Sequence, residues 1–559
     1  MKKTRKYATP FLLLSIFILQ SCENILDVKA TSELESNYFE NENRIERGIG
    51  AIYAEIANIY NANMGEGNQF SDGGPLNALW SLPSDELTTN KNNGAQFDAF
   101  SALTPGEGTV YQFWKKLYIT INRANFMLEK LDDPTVLAVI KTPHYGEYCK
   151  GEALFLRAWC NVKLWDYFRQ APNQNKRITS IPDASLKATK DFELLNQSID
   201  DLKKAVDLLP DKWSPVNGAE KYKGRVFKNS ARGLLVKCYA MKACYDSQYN
   251  GNKNEDYLNA IKYFELIDNG VSTINGVPFG NNFDIRTENN AESLYEYQAG
   301  HNQTEDNPWL SNNQGSGSAS LGVLWIQYGI HQHTDYMFGG NFGPTTKIIN
   351  LFLANTGDPR MKETINLGTK SALSPMNQLK SEMKWSNFGG YKFIKYINGD
   401  RLGKLDIKYS TTSANNPRLL RLADVKLLAA EAYLQTGNEI AARKQVNDIR
   451  KRARISTANG VEALVPVDYS SAITMKEIML ERQLELCGED DIRWNDLKRW
   501  HSAKYVDLST WTTTDFGYDE SKHTSKFVFK ADTHTLLPIP TAEISNNINM
   551  SGIQNPGYN

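Results

Sequence analysis

The apolar residues of this chain recur with the period of a helix, and the helical stretches come in pairs. The pairing is plainest near residue 420. Leu422, Val425, Ala429, Ala432 and Tyr433 fall on one face of a helix, Gly437 ends the run, and Asn438 stands where it can cap the next helix. Ala442, Val446, Ile449 and Ala453 then form a second stripe. Two such stripes joined by a tight glycine link bury each other, so they predict an antiparallel helical hairpin. A stripe of Ala153, Leu156, Cys160, Leu164 and Tyr167 is matched by Leu195, Ile199, Leu202, Val206 and Leu209, which Pro210 stops. Ala231, Leu234, Leu235 and Cys238 pair with Tyr257, Ala260, Ile261 and Phe264. Ile49, Ile52 and Ile56 pair with Trp114, Leu117, Ile121 and Leu128. The predicted fold is therefore mainly α.

The hairpins resemble tetratricopeptide units, but their wide and irregular separation argues against a continuous solenoid. Between them the texture changes. Residues 271–345 are rich in Asn, Gly and Ser, above all at 311–320, and 84–108 is irregular inside the first hairpin. Such composition predicts loops, and long loops in a compact chain are more often functional than idle. Short strands are predicted at about 294–298 and 391–397.

The N-terminus predicts export. Lys2, Lys3, Arg5 and Lys6 precede an apolar run from residue 11 to 19, which ends at Leu19-Gln20-Ser21-Cys22. The run is shorter than the about 20 apolar residues a membrane span needs, and it suits a secretory signal. A small residue before a cysteine resembles the bacterial lipobox. On this reading residues 1–21 are a lipoprotein signal peptide, Cys22 is lipidated, 22–40 form a tether, and 41–559 are one unit with loop insertions at about 84–108 and 271–400.

A net charge of −1 and no basic run after residue 6 argue against nucleic acid as a partner. Cys149, Cys160, Cys238, Cys244 and Cys487 are odd in number and lack CxxC spacing, so they read as small buried apolar residues. No phosphate loop, dinucleotide fingerprint, HExxH helix or nucleophile elbow is present. His331 and His333 lack a carboxylate or cysteine partner pattern and read as solvated side chains, so no metal and no cofactor is expected. Glu481, Arg482, Glu485, Arg493, Trp494, Asp496, Arg499 and Trp500 have the look of an active site. Their spacing suits ion pairs along and between helices better, and no catalytic residue is assigned.

Ordered motifs along the chain resemble those of the SusD/RagB family of Bacteroidetes outer-membrane lipoproteins. They include Trp114-x-x-x-Tyr118-x-x-Ile121-x-x-Ala124-Asn125, Glu152-Ala153-x-Phe155-Leu156-Arg157-Ala158, and Gly224-Arg225-Val226. Gly343-Pro344-Thr345 and Gly357-Asp358-Pro359-Arg360 follow, then Arg421 through Asp424 to Glu431-Ala432. The series ends with Glu481-Arg482-x-x-Glu485-Leu486, Arg493-Trp494-x-Asp496-Leu497-x-Arg499-Trp500, Leu537-Pro538-Ile539-Pro540 and Gln554-Asn555-Pro556-Gly557-Tyr558. One departure is the lack of an acidic run after Cys22, where only Glu23 stands, so exposure on the outer leaflet rests on the family alone.

The resemblance implies a scaffold of four tetratricopeptide-like hairpins with irregular segments folded over it as a ligand face. It also implies a non-catalytic role: capture of a nutrient, usually an oligosaccharide, at the outer membrane for a SusC-like TonB-dependent transporter. Peptide or glycopeptide capture is the alternative, and a surface glycoside hydrolase a further one. Sugars expose apolar C–H faces and polar edges, so aromatic rings beside amides are the expected binders. The candidates are Trp80 and Phe97 with Asn90 and Asn92; Trp309, Trp325, Gln327 and Tyr328; and Trp385 with Asn387 and Phe388.

Overall fold

The structure is a computed structural model and describes residues 38–60, 76–89, 94–213, 222–268, 274–298, 342–367, 391–396 and 415–558, apart from positions 490 and 524. All eight predicted helical stripes are helices. They are α1 (Glu42–Tyr60), α2 (Gly108–Lys130), α3 (Tyr145–Phe168), α4 (Glu193–Leu208), α5 (Lys228–Cys244), α6 (Lys253–Asp268), and, after a short α7 (Pro359–Thr364), α8 (Leu422–Gln435) and α9 (Glu439–Ile455). Two more follow, α10 (Met475–Leu486) and α11 (Arg493–Ser502). They pack as the stripes require: α1 on α2, α3 on α4, α5 on α6 and α8 on α9.

Local chemistry sets the boundaries. At the α8–α9 link Gly437 takes φ +85°, a left-handed turn that glycine enters without the Cβ clash other residues meet. The Asn438 side chain then accepts the Ala441 N–H at 3.1 Å and caps α9. Thr474 and Glu477 form a capping box at α10. Helices α4 and α9 bury one stripe. By contrast α3 is buried at every residue from 151 to 168, and α8 from 422 to 433, so these two helices form the centres of the molecule. One hydrophobic core runs from Phe39 to Met550.

The strands are few and short. β1 (Leu87–Thr89) pairs antiparallel with β3 (Phe342–Pro344), β2 (Ser293–Glu296) with β6 (Arg418–Arg421), and β4 (Ile365–Leu367) with β5 (Tyr391–Phe393). The strands predicted near 294 and 391 are thus β2 and β5, each ending short of its predicted limit. The five cysteines between 149 and 487 are buried and free. Burial pushes the thiols of Cys149, Cys160, Cys238 and Cys244 up to about 12, and that of Cys487 upward as well. Among the described residues no group of His, Cys, Asp and Glu is arranged to hold a metal ion.

Candidate functional site

Trp80 and Phe97, expected on the ligand face, are core residues. Trp80 is 1 % exposed and Phe97 0 %. The Trp80 ring lies 5.6 Å from Phe113 and 5.7 Å from Tyr60, with the Lys163 ammonium 5.5 Å away. A ring enclosed on this scale has no free face for a sugar, which corrects the assignment of both residues. The cause is that residues 84–89 and 97–100 of the 84–108 stretch are buried, and of its described residues only the end, 101–108, reaches the surface. A turn of helix at Ala78–Ser81, β1, and a second turn at Ala95–Asp98 wedge into the core. Cys22, Asn90, Asn92, Trp309, Trp325, Gln327, Tyr328, Trp385, Asn387 and Phe388 lie outside the described residues, as do His331 and His333.

The segments that carry those candidates begin and end at the three small sheets. Residues 90–93 follow β1, 299–341 lie between β2 and β3, 368–390 between β4 and β5, and 397–414 between β5 and β6. Two-stranded sheets this short do not hold themselves in water, so neighbouring structure has to fix them. It does so with buried charge.

The acidic and basic cluster of the C-terminal motifs, read from sequence as ion pairing, is a buried network with wide reach. Glu485 of α10 accepts from Arg421 at 2.7 Å, from Arg360 at 3.0 Å and from Arg452. Glu489 accepts from Arg421 at 2.7 Å and from Lys395 at 2.8 Å. Glu292 links Arg421 and Arg452 at 2.7 and 2.6 Å. Glu481 joins Arg360 and Arg450, both at 2.7 Å, and Asp358 closes on Arg360 at 2.7 Å. Five cations thus meet five carboxylates. Arg360 stands just before β4, Lys395 just after β5, Arg421 ends β6 and Glu292 precedes β2. The three guanidinium groups hold the Glu485 carboxyl far below the usual carboxylate range despite its burial.

A second network lies between α8 and α11. Arg482 bridges Asp424 and Asp496 at 2.7 Å each, while Arg499 bonds Glu431 at 2.6 Å and Asp496 at 2.9 Å. Glu431 also accepts from the Trp500 indole at 3.1 Å and the Tyr257 hydroxyl at 3.0 Å.

The β1–β3 seam is held differently. Asp85 is paired with Arg493 at 2.7 Å and Lys347 at 2.8 Å, and these cations hold it well below the ordinary range. Thr345 ties β3 to this corner, its hydroxyl donating to the Asp85 carbonyl at 2.7 Å and its N–H to the Glu86 carbonyl at 3.0 Å. Asp98 has neutral donors, the Thr88 hydroxyl at 2.8 Å and the Thr89 N–H at 2.9 Å. Burial pushes Asp98 up to about 7. Glu86 is likewise pushed up to about 7 by burial, against the pull of Arg493. Glu288, which accepts the Asn416 N–H at 2.7 Å where the 397–414 segment ends, is pushed up to about 8 by burial.

These raised values give a pH dependence of known sign. Each carboxyl binds its proton more tightly folded than unfolded, so its stabilisation is full below about pH 4 and is lost as pH rises through 7 to 8. His534, lowered to about 4 by burial, works the other way only up to its unfolded value of about 6.5. Thermal or urea unfolding should therefore show stability falling between pH 6.5 and 8, by on the order of 2 kcal/mol. Asp98→Asn, a permanently neutral isostere, should match the wild type near pH 4 and exceed it by a margin that widens as pH rises to about 7.

Against known proteins, residues 279–558 match the model described as the SusD family, and residues 24–239 match one described as "Starch-binding associating with outer membrane". The chain is 22 % identical over 523 residues to SusD-like protein P38 of Formosa agariphila, a match covering 90 % of this chain and 93 % of that one. Among solved structures it is similar to a laminarin binding SusD-like protein, with a TM-score of 0.67, 22 % identity, and coverage of 93 % of this chain and 100 % of that one. A SusD homolog from Bacteroides thetaiotaomicron superposes at a TM-score of 0.70 with 20 % identity, over 94 % and 99 % of the two chains. Surface glycan-binding protein A from the same species gives a TM-score of 0.66 with 20 % identity, over 93 % and 100 %. With its helical hairpins, its small sheets and a family model matching its C-terminal half, the chain belongs to the SusD family.

Proposed function

We propose that this protein is an outer-membrane lipoprotein, anchored through Cys22, that captures an oligosaccharide at the cell surface and delivers it to a SusC-like TonB-dependent transporter. The observation that carries the reading is that solved relatives named for binding laminarin or surface glycans match this chain over 93 % of its length. The match of residues 24–239 to a family described as starch-binding and outer-membrane associating supports the same reading. Trp309, Trp325, Tyr328 and Trp385 supply rings for stacking on sugar faces, and Gln327 an amide for hydroxyl recognition. The role is binding without turnover.

Affinity gel electrophoresis against starch, laminarin and other soluble polysaccharides tests this directly. Retardation by at least one polysaccharide is expected. Replacing Trp309 and Trp325 together by Ala should weaken that interaction about tenfold or more. Absence of retention, or retention untouched by the double substitution, would count against it. Release of reducing ends would turn the reading to a hydrolase, and retention by peptides alone to peptide capture.

A further inference from the structure

All three small sheets are tied to one short turn. From the end of α10 into its link to α11 the chain runs Glu485-Leu486-Cys487-Gly488-Glu489, and all five residues are buried. Glu86, at the start of β1, accepts the Gly488 N–H at 3.0 Å. Phe393, which ends β5, lies so close to Gly488 that a Cβ there would sit 2.9 Å from its ring. Lys395, two residues on, donates to the Glu485 carbonyl at 3.0 Å and to the Glu489 carboxylate at 2.8 Å. Arg421, which ends β6, donates to the Glu485 carbonyl at 3.0 Å and to both carboxylates at 2.7 Å. Gly488 itself has φ +71°, the left-handed region that disfavours any residue with a Cβ.

We propose that the Gly488 turn is a shared positioning element of the binding face. It sets how the β1–β3, β4–β5 and β2–β6 sheets stand relative to one another, and through them how tightly the protein holds its oligosaccharide. The inference rests on the glycan-binding reading above. A five-residue turn that takes a carboxylate from one sheet, a ring and an ammonium from the second, and a guanidinium from the third cannot shift without moving all three. Being buried, it acts through those sheets and touches no ligand.

The test is Gly488→Ala in the full chain. The new methyl meets the Phe393 ring at a backbone angle it disfavours, so turn and ring must part. The dissociation constant for the polysaccharide that retards the wild type should rise about tenfold. Amide hydrogen exchange should quicken together at Thr89, Ile394 and Leu422, while α1 to α6 keep their protection. Adding Phe393→Leu gives the methyl room and should restore affinity toward wild type, although this core truncation would lower stability further. Wild-type affinity in Gly488→Ala, or faster exchange confined to 485–491, overturns the proposal. If Gly488→Ala does not fold, Glu86→Leu, which removes the acceptor of the Gly488 N–H and leaves the backbone of the turn unchanged, should reproduce the quickened exchange, and failure to do so overturns the proposal equally. If the wild type binds no polysaccharide, the glycan reading fails alone, because the exchange pattern judges the positioning role without a ligand.

Discussion

Glu485→Gln should cost the fold about 3–5 kcal/mol, the range for removing one partner from a buried ion pair. The side chain is the common acceptor of Arg360, Arg421 and Arg452, and none of the four is accessible to water. Making it neutral leaves five cations facing four carboxylates in a dry interior, and the amide also turns an N–H toward a guanidinium. Urea unfolding checks the prediction: the midpoint should drop while the slope of free energy against urea stays unchanged, because the surface exposed on unfolding is the same. Pairing Glu485→Gln with Arg452→Met restores the charge balance. The double variant should then lose less than the sum of the two single losses, a coupling expected of groups in one network. Equal and additive losses would mean that the network is a set of independent contacts.

Trp80→Ala should cost a similar about 3–5 kcal/mol, here by opening a cavity. Its ring fills the space between Phe113 and Tyr60 and lies beside the Lys163 ammonium, so the loss combines packing with an ion facing an emptied site. The informative comparison is with ligand binding. If Trp80 pins its segment to the core, the affinity of the folded variant for polysaccharide is that of the wild type, measured at a temperature where both are folded. A ligand-stacking tryptophan would give the reverse result, a small change in stability and a large one in affinity. Trp80→Phe, which keeps most of the volume, should fall between wild type and alanine in stability.

Much of the architecture was legible because helices advertise themselves through period. All eight stripes read from sequence became helices, and the four pairings followed from proximity and from turn residues such as Gly437 and Asn438. The motifs were visible too, but not that they meet one another. Glu152 pairs with Arg225, Arg157 with Asn125, and Arg360 and Arg421 with Glu485. Thr345 reaches Asp85, and Asn555 the carbonyl of Leu537. Partners 18 to 260 residues apart in different elements leave no periodic trace, so a single sequence shows the charges without the pairs. Glu292 and Lys395 gave no signal at all, since an isolated charge in an irregular stretch normally faces water. For 84–89 and 97–100, which are buried, the reading of 84–108 as a ligand insertion failed for the converse reason. Its polar composition suggested a loop, whereas Asp85, Glu86 and Asp98 are buried there by the hydrogen bonds and ion pairs they complete.

The buried cysteines open a practical route into the protein. With the thiols of 149, 160, 238, 244 and 487 enclosed and protonated, the folded surface carries no ready thiolate among the described residues. A cysteine introduced at Leu464 or Ile548, both of which point outward, can take a maleimide dye without these five thiols being removed first. A donor and an acceptor dye at those two places would make the chain an optical ruler between the α9–α10 connection and its C-terminal end, read in real time as sugar is added.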